Sequence, residues 1–539
     1  HNFLPIFVHQ SHQTRRIMSQ TLYPIGIQNF ESLRKDGYLY IDKTALVYQL
    51  ANTGRYYFLS RPRRFGKSLL LSTLEAYFQG KRELFEGLAI ERLEKEWAEH
   101  PVLHLDLNIA RYASTTDLED LLNRNLVAWE KLYEADPAER SLPLRFAGVI
   151  DRAYRKTGQR VVILIDEYDK PLLQNLHDEE MQTRLRDMLK PFYGVLKTMD
   201  RAIRFALLTG VTKFGKVSVF SDLNNLRDIS MLNQYIEICG ISEQEIHTYM
   251  EEELKALANT QGMTYEETCR KLKRCYDGYH FTANSEGLYN PFSLLNTFAN
   301  KEFGDYWFET GTPSYLVELL KRTHYDLYEM ANNETDADTL NSIDAASNNP
   351  IPVIYQSGYL TIKDYEPRFG IYKLGFPNQE VEEGFVKYLL PFYANIQAQK
   401  TPFEIGRFVR EVESGDYDAF FRRLQSFFAD TSYEAIIGRN PERDTELHYR
   451  NVLFIVFRLV GLYTQVEYHT ANGRIDLVLQ TDQYIYIMEF KLNGTAEEAL
   501  RQIEEKGYAL PFAHDERELF KIGVNFSAAT RNIERWLVG

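Results

Sequence analysis

The first half of the chain alternates short, continuously apolar runs with stretches of helical periodicity. The apolar runs are residues 55–60, 102–107, 161–165 and 203–210. The stretch from Lys67 to Phe78 has the period of a helix. Continuous apolar strands separated by helices are typical of a parallel sheet that is covered on both faces. The pattern therefore predicts a parallel α/β region that ends near residue 240.

The pattern changes after residue 241, where helical periodicity takes over. Ser242-Glu-Gln-Glu245 predicts a capping box at a helix N-terminus. Residues 336–350 are polar and predict a loop. Residues 358–363 and 370–374 then predict a β-hairpin, which is either the wing of a winged-helix domain or part of a generic helical lid.

The last part of the chain, from about Lys400, predicts a compact α/β domain. Its predicted elements are helices, strands at 464–469, 475–479 and 484–491, a helix from Thr495 and a strand at 521–526. The apolar run 451–461 is short and contains Arg458, so it predicts a buried helix and not a membrane span.

Length, net charge and cysteine content exclude several classes of protein. The 539 residues exceed what one hydrophobic core holds. The net charge of −14 excludes a generally basic coat for nucleic acid, although it leaves room for a local basic groove. The sparse and odd set of Cys239, Cys269 and Cys275 predicts ordinary thiols in a reducing, cytoplasmic compartment. Residues 1–17 lack the charge order of a signal peptide, and Met18 is a candidate initiator.

A phosphate-binding loop is predicted between the first strand and the Lys67 helix. Ser60-Arg-Pro-Arg-Arg-Phe-Gly-Lys-Ser68 has the strand-to-helix setting that a P-loop requires, although it carries Arg61 where the general pattern has glycine. Backbone N–H groups at a helix N-terminus hold phosphate oxygens. The predicted nucleotide contacts are Arg63, Arg64, Phe65, Gly66, Lys67, Ser68 and Leu69.

Two acids at the end of the 161–165 strand complete the predicted nucleotide site. We expect Lys67 to reach the β- and γ-phosphates, and Ser68 and Asp166 to bind Mg²⁺. Glu167 is the predicted group that polarises the attacking water. Thr209, at the end of the next strand, is either a sensor of the γ-phosphate or part of an ordinary turn. These residues predict ATP and Mg²⁺ as cofactors.

A second site is predicted on the C-terminal hairpin. Asp476 lies on one strand, and Glu489 and Lys491 lie two residues apart on the next, so their side chains share a face. Two carboxylates supply the oxygen ligands that Mg²⁺ or Mn²⁺ prefers, and the lysine would activate water and offset phosphate charge. The alternative is an exposed hairpin with solvated charges.

Several strings in order resemble the AAA-ATPase-like family of bacterial proteins. They are Tyr40-Ile-Asp-Lys-Thr44, the loop 61–68, Asp166-Glu-Tyr-Asp-Lys-Pro171, Leu223-Asn-Asn-Leu-Arg-Asp-Ile-Ser230, Tyr276-Asp-Gly-Tyr279, Tyr289-Asn-Pro-Phe-Ser293 and Tyr306-Trp-Phe-Glu-Thr-Gly311. The resemblance covers nearly everything after residue 20, and it implies that Arg61 is ordinary for this loop. In that family the ATPase region is commonly followed by a PD-(D/E)XK nuclease-like domain.

The last unit is similar to that nuclease superfamily. The similarity implies Glu446 as an additional metal ligand and Gln502 as a catalytic residue. Tyr508 is left out of the predicted site because its spacing from Gln502 is longer than the usual Gln-x-x-x-Tyr.

The predicted fold is a P-loop parallel sheet, a helical or winged-helix-like middle region and a C-terminal restriction-endonuclease-like α/β domain. The predicted parts are an N-terminal extension at 1–20, the ATPase domain at 21–240, the helical lid at 241–395 and the nuclease-like domain at 396–539. They predict an ATPase coupled to a metal-dependent nuclease that acts on DNA, without a membrane partner and with oligomerisation left open. The alternatives are an ATP-dependent switch with a non-cleaving domain, and an inactive ATPase fused to a working nuclease.

Overall fold

The structure is a computed structural model, and it describes eleven stretches of the chain. They are residues 21–109, 111–213, 225–310, 314–330, 333–341, 343, 349–394, 396–429, 441–471, 474–492 and 494–539. The predicted N-terminal extension and the candidate initiator Met18 lie outside the described residues, as does part of the predicted loop at 336–350.

Five parallel strands form the N-terminal sheet of the described chain: β1 (Tyr56–Ser60), β2 (Val102–Asp106), β3 (Val161–Asp166), β4 (Ile203–Gly210) and β5 (Arg227–Asp228). Their order is β2-β3-β4-β1-β5, and each neighbouring pair is parallel. β1 and β3 are buried along their whole length, so the sheet is covered on both faces, as the apolar runs predicted.

Helices connect these strands and pack against the sheet. They are α1 (Phe30–Lys35), α2 (Thr44–Thr53), α3 (Lys67–Phe78), α4 (Ala89–Leu93), α5 (Thr115–Tyr133), α6 (Leu142–Thr157), α7 (Lys170–Leu173) and α8 (Glu179–Thr198). The helix predicted from Lys67 to Phe78 is α3, and it packs against β2, β3 and β4. The loop between β1 and α3 therefore lies where the parallel strands end.

Helices dominate the middle region. They are α9 (Glu243–Tyr249), α10 (Glu251–Gln261), α11 (Tyr265–Tyr276), α12 (Pro291–Asn300), α13 (Tyr306–Glu309), α14 (Ser314–Arg322), α15 (Leu327–Met330), α16 (Ala337–Asn341), α17 (Ile351–Gln356) and α18 (Gln379–Tyr393). The predicted capping box is confirmed, since Ser242 and Glu245 bond each other's backbone at the start of α9.

The middle region also contains a small antiparallel sheet. β6 (Glu334–Asp336), β7 (Thr361–Glu366) and β8 (Ile371–Gly375) are ordered β6-β8-β7. The prediction of a continuous loop at 336–350 is wrong for α16, because the Asp336 carboxylate accepts the Thr339 N–H at 2.7 Å and starts a helical turn. α17, the helix before the hairpin, is almost entirely buried and therefore presents no reading face to a DNA groove.

Among the described residues, the C-terminal region joins four helices to a five-stranded sheet. The helices are α19 (Thr401–Glu413), α20 (Tyr417–Ala429) and α21 (Pro441–Val460), with α22 (Ala496–Glu505) inserted between strands. The strands are β9 (Gln465–Ala471), β10 (Arg474–Gln480), β11 (Tyr484–Leu492), β12 (Glu518–Ser527) and β13 (Asn532–Val538), in the order β13-β12-β11-β10-β9. β11 and β12 are parallel and the other neighbours antiparallel, so the predicted α/β domain is confirmed, with an additional edge strand.

The middle region connects the two sheets through packed helices. α18 and α15 both pack against α21. The Asn451 side chain on α21 accepts the Leu327 N–H at 2.8 Å and donates to the Tyr325 carbonyl at 2.9 Å. One continuous apolar core includes residues of all three regions. Of the helices in the described ranges, none has the length and apolar character that crossing a membrane requires.

Candidate nucleotide and metal sites

The loop between β1 and α3 has the backbone conformation of a phosphate cradle. Gly66 caps α3 with φ 92°, a left-handed value that favours glycine, and the helix begins at Lys67. The Lys67 side chain is 4% exposed, and its ammonium donates to the carbonyls of Arg61 (3.1 Å) and Pro62 (3.2 Å). The loop is thus folded around its own lysine, and the first N–H groups of α3 have no carbonyl partner within the helix, which is the arrangement that binds anions.

Arg61 is buried instead of adding charge to the phosphate-binding surface. Its guanidinium donates to the carbonyls of Ser60 (2.9 Å) and Ser230 (2.8 Å), approaches the Ile236 carbonyl at 3.3 Å and lies 4.0 Å from the ring centre of Phe281. Burial lowers the pKa of this guanidinium to about 10. Arg61 therefore fastens the loop to the segment that follows β5, and it does not make the loop more positive.

The two acids at the end of β3 contact the partners expected of a nucleotide site. The Asp166 carboxylate accepts the Ser68 hydroxyl at 2.5 Å and the Thr209 hydroxyl at 2.7 Å. A Glu167 oxygen lies 3.3 Å from the Lys67 ammonium. Hydroxyl and carboxylate, the two protein groups that P-loop ATPases give to Mg²⁺, are therefore already adjacent.

A third carboxyl group adds negative charge to this edge of the sheet. Asp106 ends β2 and is the register partner of Asp166 on β3. Burial raises the pKa of the Asp106 carboxyl, and the neighbouring charge of Asp166 adds to the rise. A divalent cation between Ser68 and Asp166 would relieve this repulsion, so the residues present fit Mg²⁺.

A cleft of about 300 Å³ opens in front of these groups. Its walls come from the N-terminal segment 24–28, from the loop and α3, from the edge of the sheet and from the middle region at Pro291, Phe292, Leu295 and Thr310. Six predicted nucleotide contacts line it together with Glu167: Arg63, Arg64, Gly66, Lys67, Ser68 and Leu69. Asp166 and Thr209 are buried behind this wall.

Arg63, Arg64 and Phe65 of the loop contact the middle region. The Arg64 guanidinium lies 5.0 Å from the ring centre of Phe292, and Arg63 donates to the Tyr359 hydroxyl at 3.4 Å. The side chain of Phe65 packs edge-to-face on Tyr279, with ring centres 4.8 Å apart. The loop therefore binds the middle region as well as closing the cleft.

A second, mostly apolar cavity of about 100 Å³ adjoins the cleft. The two share the wall residues Pro24, Gly66, Leu69, Pro291 and Leu295. The rest of the second cavity's lining comes from the N-terminal segment, from α2 and α3 and from residues 238–241, and it is apolar except for Lys43 and Thr73. A flat apolar ring attached to the phosphates fits this combination of a polar cleft and an apolar recess.

The C-terminal sheet brings the second predicted site together. Asp476 on β10 is the direct register partner of Glu489 on β11, so the two carboxylates lie on the same face, with Lys491 two residues further along. Glu489 is completely buried, which excludes the alternative of an ordinary exposed hairpin. Two cross-strand carboxylates are unfavourable neighbours unless a cation or proton offsets their charge, so the pair fits a divalent metal.

The remaining predicted residues lie on elements around this face. Gln502 is half-buried on α22, which packs against β11 and β12 on the side of the carboxylates. Tyr508, which is not among the predicted site residues, donates its hydroxyl to Asp476 at 3.0 Å. Glu446 is half-buried near the start of α21. Phe457 of the same helix packs on Phe490, which lies on the face of the sheet opposite to Glu489.

Metal clusters with three or more protein ligands are not formed among the described residues. No group of three His, Cys, Asp or Glu side chains has the arrangement to hold an ion there. The carboxylate pair would thus share its ion with water or with a substrate phosphate, as Mg²⁺ sites commonly do. Glu446 stays a predicted ligand that no described contact brings to the pair.

The parallel sheet with its glycine-capped helix start defines a P-loop ATPase-like region, and the sheet that carries Asp476, Glu489 and Lys491 defines a nuclease-like one. Comparison with known proteins agrees with both. Residues 24–220 match the family described as "Predicted AAA-ATPase", and residues 444–536 match the PD-(D/E)XK nuclease superfamily.

A relative matches this chain along almost the whole length of both proteins. The chain is 36% identical over 534 residues to a protein of Azotobacter chroococcum mcd 1 described as an uncharacterized protein in the vnfD 5′ region, and the match covers 97% of this chain and 99% of that protein. The chain belongs to the AAA-ATPase-like family and carries a PD-(D/E)XK nuclease superfamily domain at its C-terminal end.

Proposed function

We propose that this chain hydrolyses ATP in its N-terminal cleft and thereby controls a metal-dependent nuclease domain that acts on DNA. The observation that carries the proposal is the contact set at the start of α3. There Ser68 meets Asp166, and Lys67 meets Glu167. These four groups are the ones that P-loop ATPases use for Mg²⁺, phosphate and water.

The cleft and the adjoining cavity suggest how the nucleotide lies. The phosphates would follow the loop from Gly66 to Ser68, where backbone N–H groups and the helix dipole favour anions. The base would enter the apolar cavity beside Leu69 and Pro291, since that cavity opens directly from the phosphate cleft. Both Pro291 and Leu295 belong to α12, so the bound nucleotide would contact the middle region.

The protein groups have distinct tasks in hydrolysis. Lys67 would exchange its loop carbonyls for phosphate oxygens, and Ser68 and Asp166 would hold Mg²⁺, which offsets charge on the phosphates. Glu167 would orient and polarise the attacking water. Thr209 holds Asp166 from behind by its hydroxyl and so fixes the direction of that carboxylate.

In the C-terminal domain, Asp476 and Glu489 are the proposed ligands of Mg²⁺ or Mn²⁺. The ion would supply Lewis-acid activation of a phosphodiester and of its attacking water. Lys491, on the same face, would balance the charge of the scissile phosphate. Tyr508 would orient Asp476 through its hydrogen bond.

Contacts through the middle region support coupling between the two sites. The Trp307 indole N–H donates to the Arg63 carbonyl of the loop at 3.0 Å, and the Trp307 backbone N–H donates to Glu380 at 2.7 Å. Glu380 lies in the first turn of α18, which packs against α21 of the C-terminal domain. Movement of the loop on nucleotide binding would therefore reach the nuclease-like domain through α18.

ATP turnover tests the first half of the proposal. Phosphate release by the parent protein should depend on Mg²⁺ and should fall at least about 100-fold in Lys67→Ala, because the lysine's interaction with the phosphates is lost. Lys131→Ala, which changes an exposed lysine on α5, is the matched control and should retain parental turnover. Equal phosphate release by the parent and Lys67→Ala would refute ATP hydrolysis at this site.

Nicking of supercoiled DNA tests the second half. With Mg²⁺ or Mn²⁺ and ATP, the parent should nick DNA, and Asp476→Ala and Lys491→Ala should each lose this activity. Lys521→Ala, on the neighbouring strand β12, is the control. Parental nicking by both Asp476→Ala and Lys491→Ala would show that cleavage does not occur at this site.

The second candidate is an ATP-dependent switch whose nuclease-like domain does not cleave. The net charge of −14 favours it, because DNA binding depends on positive surface. Salt-dependent binding of DNA distinguishes the two: ATP turnover without DNA binding at low salt supports the switch. The third alternative is an inactive ATPase, and the reason for it was Arg61 at a position where the general P-loop has glycine. Arg61 is buried and does not line the cleft, so it does not obstruct the phosphates.

A further inference from the structure

Two residues of the turn that follows β3, Tyr168 and Asp169, attach this turn to the end of β4 and to the residues after it. Tyr168 donates its N–H to the Thr209 carbonyl at 2.9 Å and its hydroxyl to the Thr212 carbonyl at 2.8 Å. Asp169 is fully buried and accepts the N–H groups of Val211 (3.2 Å) and Thr212 (2.6 Å). The turn therefore has a fixed position relative to the edge of the sheet.

Gly210 shows how tight this attachment is. A Cβ atom at Gly210 would lie 2.4 Å from a carboxylate oxygen of Asp169 and 2.7 Å from the ring of Tyr168. Since such distances are far below van der Waals contact, the strand end and the turn meet only because residue 210 has no side chain. Lys170 follows Asp169 and is the first residue of α7, so its backbone starts from the attached turn.

Lys170 places a cation in the nucleotide cleft. It lines the cleft together with Lys67, Ser68 and Glu167. Its ammonium donates to the side-chain oxygen of Asn108 at 3.0 Å. Asn108 in turn is held by its own N–H, which donates to Asp106 at 2.7 Å.

The surroundings leave the charge of Lys170 available to a ligand. Its described hydrogen-bond partner is a neutral amide, whereas the ammonium of Lys67 already lies beside the Glu167 carboxylate. Among the ion pairs of the described residues, none includes Lys170. A phosphate that enters the cleft would therefore meet one lysine from the loop and a second from the turn after β3.

We propose that Lys170 contacts the terminal phosphate of ATP and stabilises the charge that develops there during hydrolysis, with Asn108 as its positioning residue. The inference rests on the proposed ATPase function. It assigns to this chain's own lysine the task that a transition-state arginine performs in other P-loop enzymes. It follows that turnover needs no residue from a second copy, so specific activity should not depend on protein concentration.

Nucleotide binding and turnover by Lys170→Gln test the proposal. The turnover number should fall about 100-fold, the range expected for one transition-state donor. Affinity for adenylyl-imidodiphosphate, a non-hydrolysable ATP analogue, should fall more than affinity for ADP, because ADP lacks the phosphate that Lys170 contacts. Asn108→Ala should show the same pattern more weakly, and Lys170→Arg should recover part of the turnover. Lys131→Gln is the control, and thermal melting checks the fold of each variant.

Equal losses of affinity for the analogue and for ADP in Lys170→Gln would overturn the proposal, as would turnover within twofold of the parent. A rise of specific activity with protein concentration would overturn the claim that the cation acts within one chain. These outcomes differ from failure of the proposed ATPase function, which is tested by comparing phosphate release by the parent and by Lys67→Ala. The ratio of the affinities for the ATP analogue and for ADP can be measured even if the protein does not turn over ATP.

Discussion

The nucleotide cleft and the carboxylate pair of the C-terminal sheet both combine acids with a lysine, but the fold builds them differently. In the cleft, the acids end a strand of a parallel sheet, and the lysine starts a helix. In the C-terminal sheet, Asp476, Glu489 and Lys491 project from two antiparallel strands and owe their meeting to register. The first site depends on where a strand ends and a helix begins. The second depends on the alternation of side chains between the two faces of a sheet.

This difference determines what each site is ready to do. In the cleft, Asp166 is held by two hydroxyls and Glu167 by Lys67, so the groups are oriented before a ligand arrives. In the C-terminal sheet, the buried Glu489 faces Asp476, and a slip of one residue would move one of them to the opposite face. We therefore expect substitutions in the cleft to lower the rate of hydrolysis. Substitutions in the C-terminal site should instead lower activity by disturbing the strand register or the binding of metal.

The largest expected effect is that of Glu167→Gln on hydrolysis. The substitution keeps the size of the side chain but removes its ability to accept a proton from water, so phosphate release should fall about 10²–10⁴-fold. Binding of ATP should stay within a few-fold of the parent, since the phosphate contacts of the loop persist. Single-turnover phosphate release and equilibrium binding measure the two quantities.

Glu179→Gln, at the exposed start of α8, is the matched control for this experiment. If Glu167→Gln hydrolyses ATP like the parent, water activation belongs to another group, and the orientation seen in the cleft has a structural role instead.

Arg61→Ala should have the next largest effect, this time on stability. The side chain donates to buried carbonyls and packs on Phe281, so its removal leaves acceptors unpaired and opens a cavity. We expect a loss of about 3 kcal/mol in the free energy of unfolding of the N-terminal region. Urea unfolding followed by near-ultraviolet circular dichroism measures it.

The same substitution sharpens the comparison of the two sites. ATP affinity should fall with stability, because the loop loses its attachment, whereas stabilisation of the protein by Mn²⁺ should persist if that ion binds the C-terminal pair. Arg124→Ala, on α5, is the control, since that side chain is exposed and does not line the cleft. An unchanged unfolding midpoint in Arg61→Ala would show that the carbonyl contacts are dispensable.

Glu380 connects the phosphate-binding loop, through Trp307, to α18, and its carboxyl group should make the stability of the protein depend on pH. Burial raises the pKa of its carboxyl to about 8 from an ordinary value of 4.5, despite hydrogen bonds from Ser293 and Trp307 and with a further rise from Asp305. The folded protein therefore binds a proton that the unfolded chain releases, so stability falls as the pH rises from about 4.5 to about 8. The loss is at most about 1.4 kcal/mol per pH unit.

Glu380→Gln should remove this part of the pH dependence, because the amide resembles the protonated carboxyl. Urea unfolding near pH 6 and near pH 7, compared between parent and variant, isolates the contribution of this residue. Glu252→Gln, exposed on α10, should behave like the parent. A parental pH slope in Glu380→Gln would mean that Glu380 is ionised in the folded protein.

The sequence predicted those features that depend on local pattern. The helix from Lys67 to Phe78 and the strand from Ile203 to Gly210 match the structure residue for residue. The capping box at Ser242 follows from neighbouring residues alone. Such elements are predictable because apolar period, caps and turn residues act within a few positions of each other.

Features that depend on distant partners were missed. The edge strand Asn532–Val538 mixes charged and apolar residues and is defined by its pairing with β12. The role of Arg61 follows from carbonyls about 170 residues away, at Ser230 and Ile236. Tyr508 reaches Asp476 because the chain turns back after α22, so spacing from Gln502 was the wrong criterion. Contacts of this kind leave no local signature in the sequence.

Tyr508→Phe should give the smallest effect and test the C-terminal site most selectively. The substitution removes one hydroxyl that donates to Asp476 but keeps the ring in its apolar cluster with Ile485 and Ile503. Metal-dependent nicking should fall about threefold to tenfold, as expected for the loss of one ordinary hydrogen bond of roughly 1 kcal/mol, while the unfolding midpoint should hardly change.

Tyr486→Phe is the matched control, because Tyr486 lies on the same strand as Glu489, with its hydroxyl bonded to the Val412 carbonyl. That variant should lose stability and retain nicking, the opposite of Tyr508→Phe. If both tyrosine variants nicked DNA at the parental rate over a range of Mn²⁺ concentrations, the orientation of Asp476 by Tyr508 would have no part in metal binding. The C-terminal site would then depend on strand register alone, and the contrast with the hydrogen-bonded acids of the nucleotide cleft would be complete.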